Sequence, residues 1–466
     1  MNQASKLQLS QELSDLQAAY RQQPYPSLAI RRYHLSQMLR LLLDNQAAII
    51  AAISDDFGYR SPHESRLIEI FPAIEGLRYS LKHLKKWLKP QHRQVSLWYF
   101  GASNRVQAQP LGVVGVIVPW NYPLYLAFAP LTDALAAGNK LMIKMSELSP
   151  ALSHLLIQLL PKYLPDDVLR IYSDDGSLGP SFSALPFDHL IFTGSTQTGR
   201  KVMAAAAQNL TPVTLELGGK SPVIVAEDYP ITQAAERILM GKLLNAGQTC
   251  VAPDYVLLPK GTRSAFIQAC LAYTAKHYSD MSDPALSNMI SADFLTRQVN
   301  LREQAIAQGA EFIPLIAGEC AGKFTPGLLV DAAASSLVMQ QEIFGPLLPI
   351  VEYQDLSQAI TYVNQTAPPL ALYLFTKQFG VQLRVQQQIQ AGGLCINEVL
   401  LHVAQHQLPF GGVGSSGMGH YHGYDGFVQF SKMLPIFKQG PFAATRLMRP
   451  PYTRISDYLL KLMTRG

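Results

Sequence analysis

Residues 113–258 alternate short, β-branched apolar runs with longer stretches of helical periodicity. The runs are 113–118, closed by Pro119, then 141–143, 189–192, 214–217, 222–225 and 255–258, with helical spacing over 124–137, 151–160 and 231–245 between them. Parallel strands need a long crossover, and a helix supplies it. The alternation therefore predicts an α/β fold of doubly wound parallel sheets, with ligands at the carboxyl ends of the strands. The first hundred residues read as helices instead, over 28–53 and 64–88, preceded by a packing helix that spaces Leu9, Leu13, Leu16 and Tyr20. That opening has no apolar core after a basic start, so it is not a signal segment.

Four divisions are expected in the 466 residues: a cofactor-binding unit over 1–215, with an oligomerisation arm near 98–110; a catalytic unit over 216–403; a Gly-rich segment, 404–432, returning over a cleft; and an oligomerisation or tail segment, 433–466. Charged residues are only 15%, against an average of about 25%, which favours surface covered by another copy of the chain. The 32 Gly and 31 Pro are scattered, which excludes a disordered, collagen-like or coiled-coil chain. The net charge of +5 is dispersed, and its densest run (Lys82, Lys85, Lys86, Lys89) is interrupted by Leu84, Trp87 and Leu88. This is a solvated helix face, and no nucleic-acid partner is expected. Cys250, Cys270, Cys320 and Cys395 lie far apart, at neither zinc-ligand nor disulfide-framework spacing. No window reaches the ~18 apolar residues of a membrane span. The tail from Tyr452, with Arg454, Asp457, Lys461 and Arg465, reads as a packing helix and not a stable membrane anchor.

Three segments carry chemistry. In Asn245-Ala246-Gly247-Gln248-Thr249-Cys250 a thiol follows a short turn at the end of a helix. Alone, Cys250 reads as a small core hydrophobe; held in such a turn, it is a candidate nucleophile. In Thr214-Leu215-Glu216-Leu217-Gly218-Gly219 a carboxylate lies inside an apolar strand before a glycine pair, either as a general base of raised pKa or as the partner of a nearby cation. In Val118-Pro119-Trp120-Asn121-Tyr122 the Asn121 amide is an oxyanion donor or a helix N-cap.

Together, in this order and spacing, the three segments resemble the NAD(P)-dependent aldehyde dehydrogenase superfamily over residues 60–432. The resemblance implies Cys250 as nucleophile, Glu216 as the base for the deacylating water and Asn121 as oxyanion donor. It implies further that Lys144 and Glu147, in Lys144-Met145-Ser146-Glu147, hold the adenosine ribose. Phe192, Gly194, Ser195 and Gly199 would form the pyrophosphate turn, which a helix N-terminus suits. Glu342 and Phe344 would meet the nicotinamide ribose, and Pro119, Trp120, Leu217 and Gly218 would complete the cofactor site. Tyr122, Thr249, His402 and Phe410 are candidate walls of an apolar substrate pocket. The segments around Cys250 and Asn397 look like the class 3 branch, and 59–87 is similar to bacterial coniferyl aldehyde dehydrogenases. A cytoplasmic homodimer follows, oxidising an aromatic or medium-chain aldehyde with NAD in preference to NADP, because Glu147 repels a 2′-phosphate. The alternatives are an acylating enzyme that passes its thioester to coenzyme A or phosphate, against which Glu216 argues, and a non-catalytic nucleotide-binding relative.

Overall fold

Burial on both faces accounts for the β-branched runs. In the computed structural model, which describes residues 3–441 and 443–464, Val113–Ile117 is buried at every position and pairs in parallel with Lys140–Lys144 on one side and His189–Gly194 on the other. Met1 and Arg465, at the two ends read above, lie outside the described residues. The sheet has six strands in the order Gly417–Met418, Val213–Leu217, His189–Gly194, Val113–Ile117, Lys140–Lys144, Leu169–Tyr172. The chain starts in the middle, winds outward, then returns to the other side of Val113–Ile117. That reversal is the switch point at which such sheets bind ligands. The segments beginning at Val118, Ser195 and Gly218 all leave the carboxyl ends of these strands.

The second sheet has seven strands, ordered Glu311–Pro314, Gly327–Val330, Leu347–Tyr353, Tyr255–Pro259, Pro222–Val225, Ala371–Phe375, Gly393–Ile396. Only its first pair is antiparallel. A third, antiparallel sheet joins Gln91–Arg93, Ser103–Pro110 and Ser431–Lys438. It gathers residues near the expected arm with the start of the tail.

The helix Tyr125–Ala137 is buried along almost all of its length, so both of its ends need internal partners. Leu124 N and Tyr125 N donate to Glu69 Oε2 at 2.7 and 3.0 Å. At the other end, buried Arg31 donates to Ala136 O at 3.0 Å, and Gly138 takes a left-handed φ of 93°. The N-terminal helix Gln3–Gln22 buries Leu9, Leu13 and Leu16 against Val113 and Met142 of the six-stranded sheet.

Four stretches depart from the periodicity. The run over 28–53 is two helices, Leu28–Asp44 and Gln46–Asp56, broken at Asn45, whose amide caps Leu41 O at 2.8 Å. The run over 64–88 is a short helix, a π-helical turn at Arg66–Ile70 and the helix Phe71–Trp87. The helix expected to reach 245 stops at Leu243. The Gly-rich return segment is not wholly irregular: Gly417 pairs with Glu216, adding an edge strand to the six-stranded sheet.

Candidate active site

The turn before Cys250 is strained. Asn245 and Ala246 both sit at φ 52° and Gly247 follows at 71°, three left-handed residues in a row. A non-glycine residue there costs about 1–2 kcal/mol, so the surroundings must hold the turn. Any side chain at Gly247 would collide with Gly345 O. Asn245 N donates to Glu64 Oε1 at 3.0 Å, while Gln248 Nε2 donates to Asn245 O and Asn288 O at 3.0 and 3.1 Å and its Oε1 accepts from Ile290 N at 3.0 Å. Strain retained by such a network is typical of functional turns.

Cys250 emerges half-buried on the wall of a cavity of about 250 Å³. Glu216 lines the same cavity; it is 2% exposed, and neither carboxylate oxygen has a hydrogen-bond partner among the described residues. It is therefore no ion-pair partner, and burial pushes its pKa well above the ordinary carboxylate value. The Cys250 thiol is pushed up to about 12 by burial, then by the carboxylates of Glu342 and Glu216. Asn121 is not the N-cap: Glu69 holds those N–H groups, and Asn121 Nδ2 donates across to Gln248 O at 3.2 Å. Gln248 stands two residues before the thiol, so this bond ties the Asn121 amide, with its second N–H, to the turn that carries Cys250.

Tyr122, Thr249 and Phe410 line the cavity with Leu67, Phe71, Leu126, Met240, Leu401 and Tyr421, and the Tyr122 hydroxyl meets Thr249 Oγ1. His402 corrects the expectation. Its ring packs edge-on to Tyr373 and against Gly393, outside the lining, and burial lowers its pKa to about 4.

A separate polar groove of about 370 Å³ is lined by Thr196, Gly218, Lys220, Glu342, Thr366 and Ser415 among others. Glu342 reaches into the space that a side chain at Gly218 would need, and its buried Oε1 has no partner. Its pKa is pushed up to about 8 by burial and then by Asp254. An orphaned acceptor in a groove suits a sugar hydroxyl donor. Arg297 holds this segment by donating to Glu342 O at 2.6 Å, and Asp254 accepts from Ile343 N at 3.0 Å. Phe344, at φ 48°, meets Trp120 edge-on at 5.4 Å, beside half-buried Pro119. Lys144 bonds Asp174 at 2.5 Å and exposed Glu147 at 3.6 Å. Ser195 caps the helix Thr196–Ala207, accepting from Thr198 N at 3.2 Å. The side chains of Phe192 and Leu217 are core: Phe192 fills the space above Gly194, and Leu217 packs where Gly199 lacks a Cβ. Only their main chains are left for a ligand.

An apolar cavity lined by a thiol and a separate polar groove lined by a buried, unpaired carboxylate suit a dehydrogenase that binds its substrate and its dinucleotide apart. The chain belongs to the aldehyde dehydrogenase family, whose model matches residues 2–434. It is an aldehyde-oxidising enzyme that uses a nicotinamide dinucleotide. It is 48% identical to a probable coniferyl aldehyde dehydrogenase of Pseudomonas aeruginosa, over 98% of each chain. It is 42% identical to the coniferyl aldehyde dehydrogenase of a Pseudomonas sp. strain, HR199, over 98% of this chain and 96% of the other. The substrate-bound state of Staphylococcus aureus AldH superposes with a TM-score of 0.92 at 33% identity, covering 99% and 100% of the two chains.

Sequence reasoning missed Arg60, Glu64 and Glu69, which are buried around the site. Little signal lay in the sequence, because Arg66 in the same stretch is charged and exposed; what marks Arg60, Glu64 and Glu69 is their burial, since buried charges need partners.

Proposed function

We propose that the chain oxidises an apolar aldehyde, aromatic of the coniferyl type or medium-chain, to the carboxylic acid with NAD and water. The observation that carries this is an almost wholly apolar cavity that ends on Cys250, with unpaired Glu216 in its wall. The flat faces of Phe71, Tyr122, Phe410 and Tyr421 suit a conjugated ring, and the names of the two Pseudomonas relatives point the same way.

Cys250 releases its thiol proton to solvent, and the thiolate Sγ attacks the aldehyde carbon to form a thiohemiacetal. Its oxygen takes up negative charge, which the Asn121 amide and the Cys250 N–H stabilise; losing one such donor costs about 3 kcal/mol. When bound, the dinucleotide would supply a hydride acceptor and a positive charge near the thiol. Hydride departure leaves a thioester on Cys250. Glu216 then takes a proton from water, the oxygen adds to the thioester carbon, and the carbon–sulfur bond breaks to release the acid. Glu342 would hold the dinucleotide in the polar groove, and Lys144, Glu147 and Ser195, at or just after the carboxyl ends of the six-stranded sheet's strands, would hold the rest of it.

Comparing kcat/KM across aldehydes tests the reading. At ~0.8 kcal/mol per buried CH₂, octanal and coniferyl aldehyde should exceed glycolaldehyde by about a hundredfold or more, and NAD should exceed NADP because the exposed Glu147 carboxylate, if it meets the adenosine ribose, would repel a 2′-phosphate. Equal use of the polar aldehyde would overturn the substrate class, and equal use of the two dinucleotides would overturn the preference.

A cytoplasmic homodimer belongs to the same reading. Leu97 and Phe100 are largely exposed, on either side of the Trp98-Tyr99 pair whose Tyr99 meets Phe437 of the three-stranded sheet edge-on, and such apolar surface calls for cover. The cysteines are free thiols, as in a reducing compartment. Among the described residues no helix is long and apolar enough to cross a membrane. Sedimentation equilibrium should return twice the chain mass; a single chain mass would count against the dimer.

A further inference from the structure

Arg60 is completely buried, and only one of its three nitrogens has a hydrogen-bond partner. That nitrogen, Nη1, donates to Glu69 Oε1 at 2.6 Å and to Asn121 O at 3.1 Å. The guanidinium also lies over the rings of Phe57 and Tyr122, at 4.9 and 5.0 Å. Burying an ion pair is expensive, and replacing one with apolar residues of similar volume often stabilises a protein. Stability alone therefore gives no account of this charge.

Its contacts converge on the reacting end of the cavity. Asn121 O, held by Arg60, also accepts from Asn245 Nδ2 at 3.1 Å, and Asn245 is the first left-handed residue of the turn before Cys250. Glu69 fixes the helix that begins four residues after Asn121, and it belongs to the π-helical turn Arg66–Ile70. Such turns often occur at functional sites, where the extra residue re-aims a side chain. Tyr122, under the guanidinium, is bonded to Thr249, beside the thiol. One buried cation thus touches the main chain of the proposed oxyanion donor, the ring next to it and the carboxylate that orients the following helix.

We propose that Arg60, braced by Glu69, is a positioning residue that sets the Asn121 amide over the carbonyl attacked by Cys250. The proposal rests on the oxyanion role given to Asn121 above. Arg60 touches neither substrate nor dinucleotide. Its effect therefore falls on thiohemiacetal formation and hydride loss, and leaves dinucleotide affinity unchanged.

The test is a double-mutant cycle on the full chain, read as the rate of the first NADH equivalent after mixing with saturating aldehyde and NAD, beside the Tm and the dissociation constant for NAD. Arg60→Lys keeps the charge and loses the fork; Glu69→Gln, a neutral isostere, is the second variant should Arg60→Lys not fold. Either substitution should slow the first turnover at least tenfold in the wild-type background and less than twofold in the Asn121→Ala background, with NAD affinity unchanged. Equal slowing in both backgrounds, or none in the wild type, would overturn the positioning role while leaving that of Asn121 intact. A first turnover unchanged by Asn121→Ala alone would overturn the oxyanion assignment itself, and the proposal with it.

Discussion

Cys250→Ser should lower kcat/KM for any aldehyde by at least about a thousandfold and leave the affinity for NAD unchanged. A serine hydroxyl is a poor nucleophile without an adjacent base, whereas a thiol is intrinsically strong once ionised. The cavity offers no substitute: Glu216 is its one unpaired carboxylate, and burial holds that group toward its neutral form. The polar groove does not include residue 250 in its lining, so cofactor binding has no reason to change. Titration of bound NAD together with steady-state rates reads both. A serine variant keeping a tenth of the activity would remove Cys250 from its role.

Glu216→Gln should keep a burst of about one NADH per site and lose steady turnover by 10²–10⁴, the range of a general base. Thiol attack and hydride loss do not need the base; only addition of water does. The wild-type steady rate should also rise with pH, because burial raises the Glu216 pKa and the active form is the ionised one. The stability effect has the opposite direction. With the folded-state pKa above the unfolded one, the folded protein holds its proton as the unfolded chain loses it, so wild-type stability falls relative to Glu216→Gln as pH rises from the ordinary carboxylate range toward the raised value. Loss of burst and turnover together would place Glu216 at an earlier step.

The strands nearest the site were legible because they are buried on both faces: Val113–Ile117 and Pro222–Val225 are continuous apolar runs with no alternation to misread. The edge strand Glu311–Pro314 is partly exposed and mixed in composition, and Gly417–Met418 is too short to have a period, so neither left a mark in the pattern. Cys250, Glu216 and Asn121 stood out because each is a reactive group in an otherwise apolar or glycine-marked setting. What separated their alternative readings was long-range: the carbonyl of Gln248 facing the Asn121 amide, the absence of any cation at Glu216, and Glu69 capping the helix that Asn121 was a candidate to cap. His402 shows the converse. A polar aromatic residue in a promising segment turned away because Gly393 leaves room for its ring. The break at Asn45 and the π-helical turn at Arg66–Ile70 preserve helical spacing on either side, so periodicity alone passes through them.

The central claim is a covalent route with hydrolytic release, and stopped-flow formation of NADH tests it most directly. Wild-type protein is mixed with NAD and coniferyl aldehyde, then octanal, with coenzyme A and phosphate left out. The account predicts a burst of about one NADH per site followed by steady turnover. A burst with no turnover, restored by coenzyme A or phosphate, would contradict release by water.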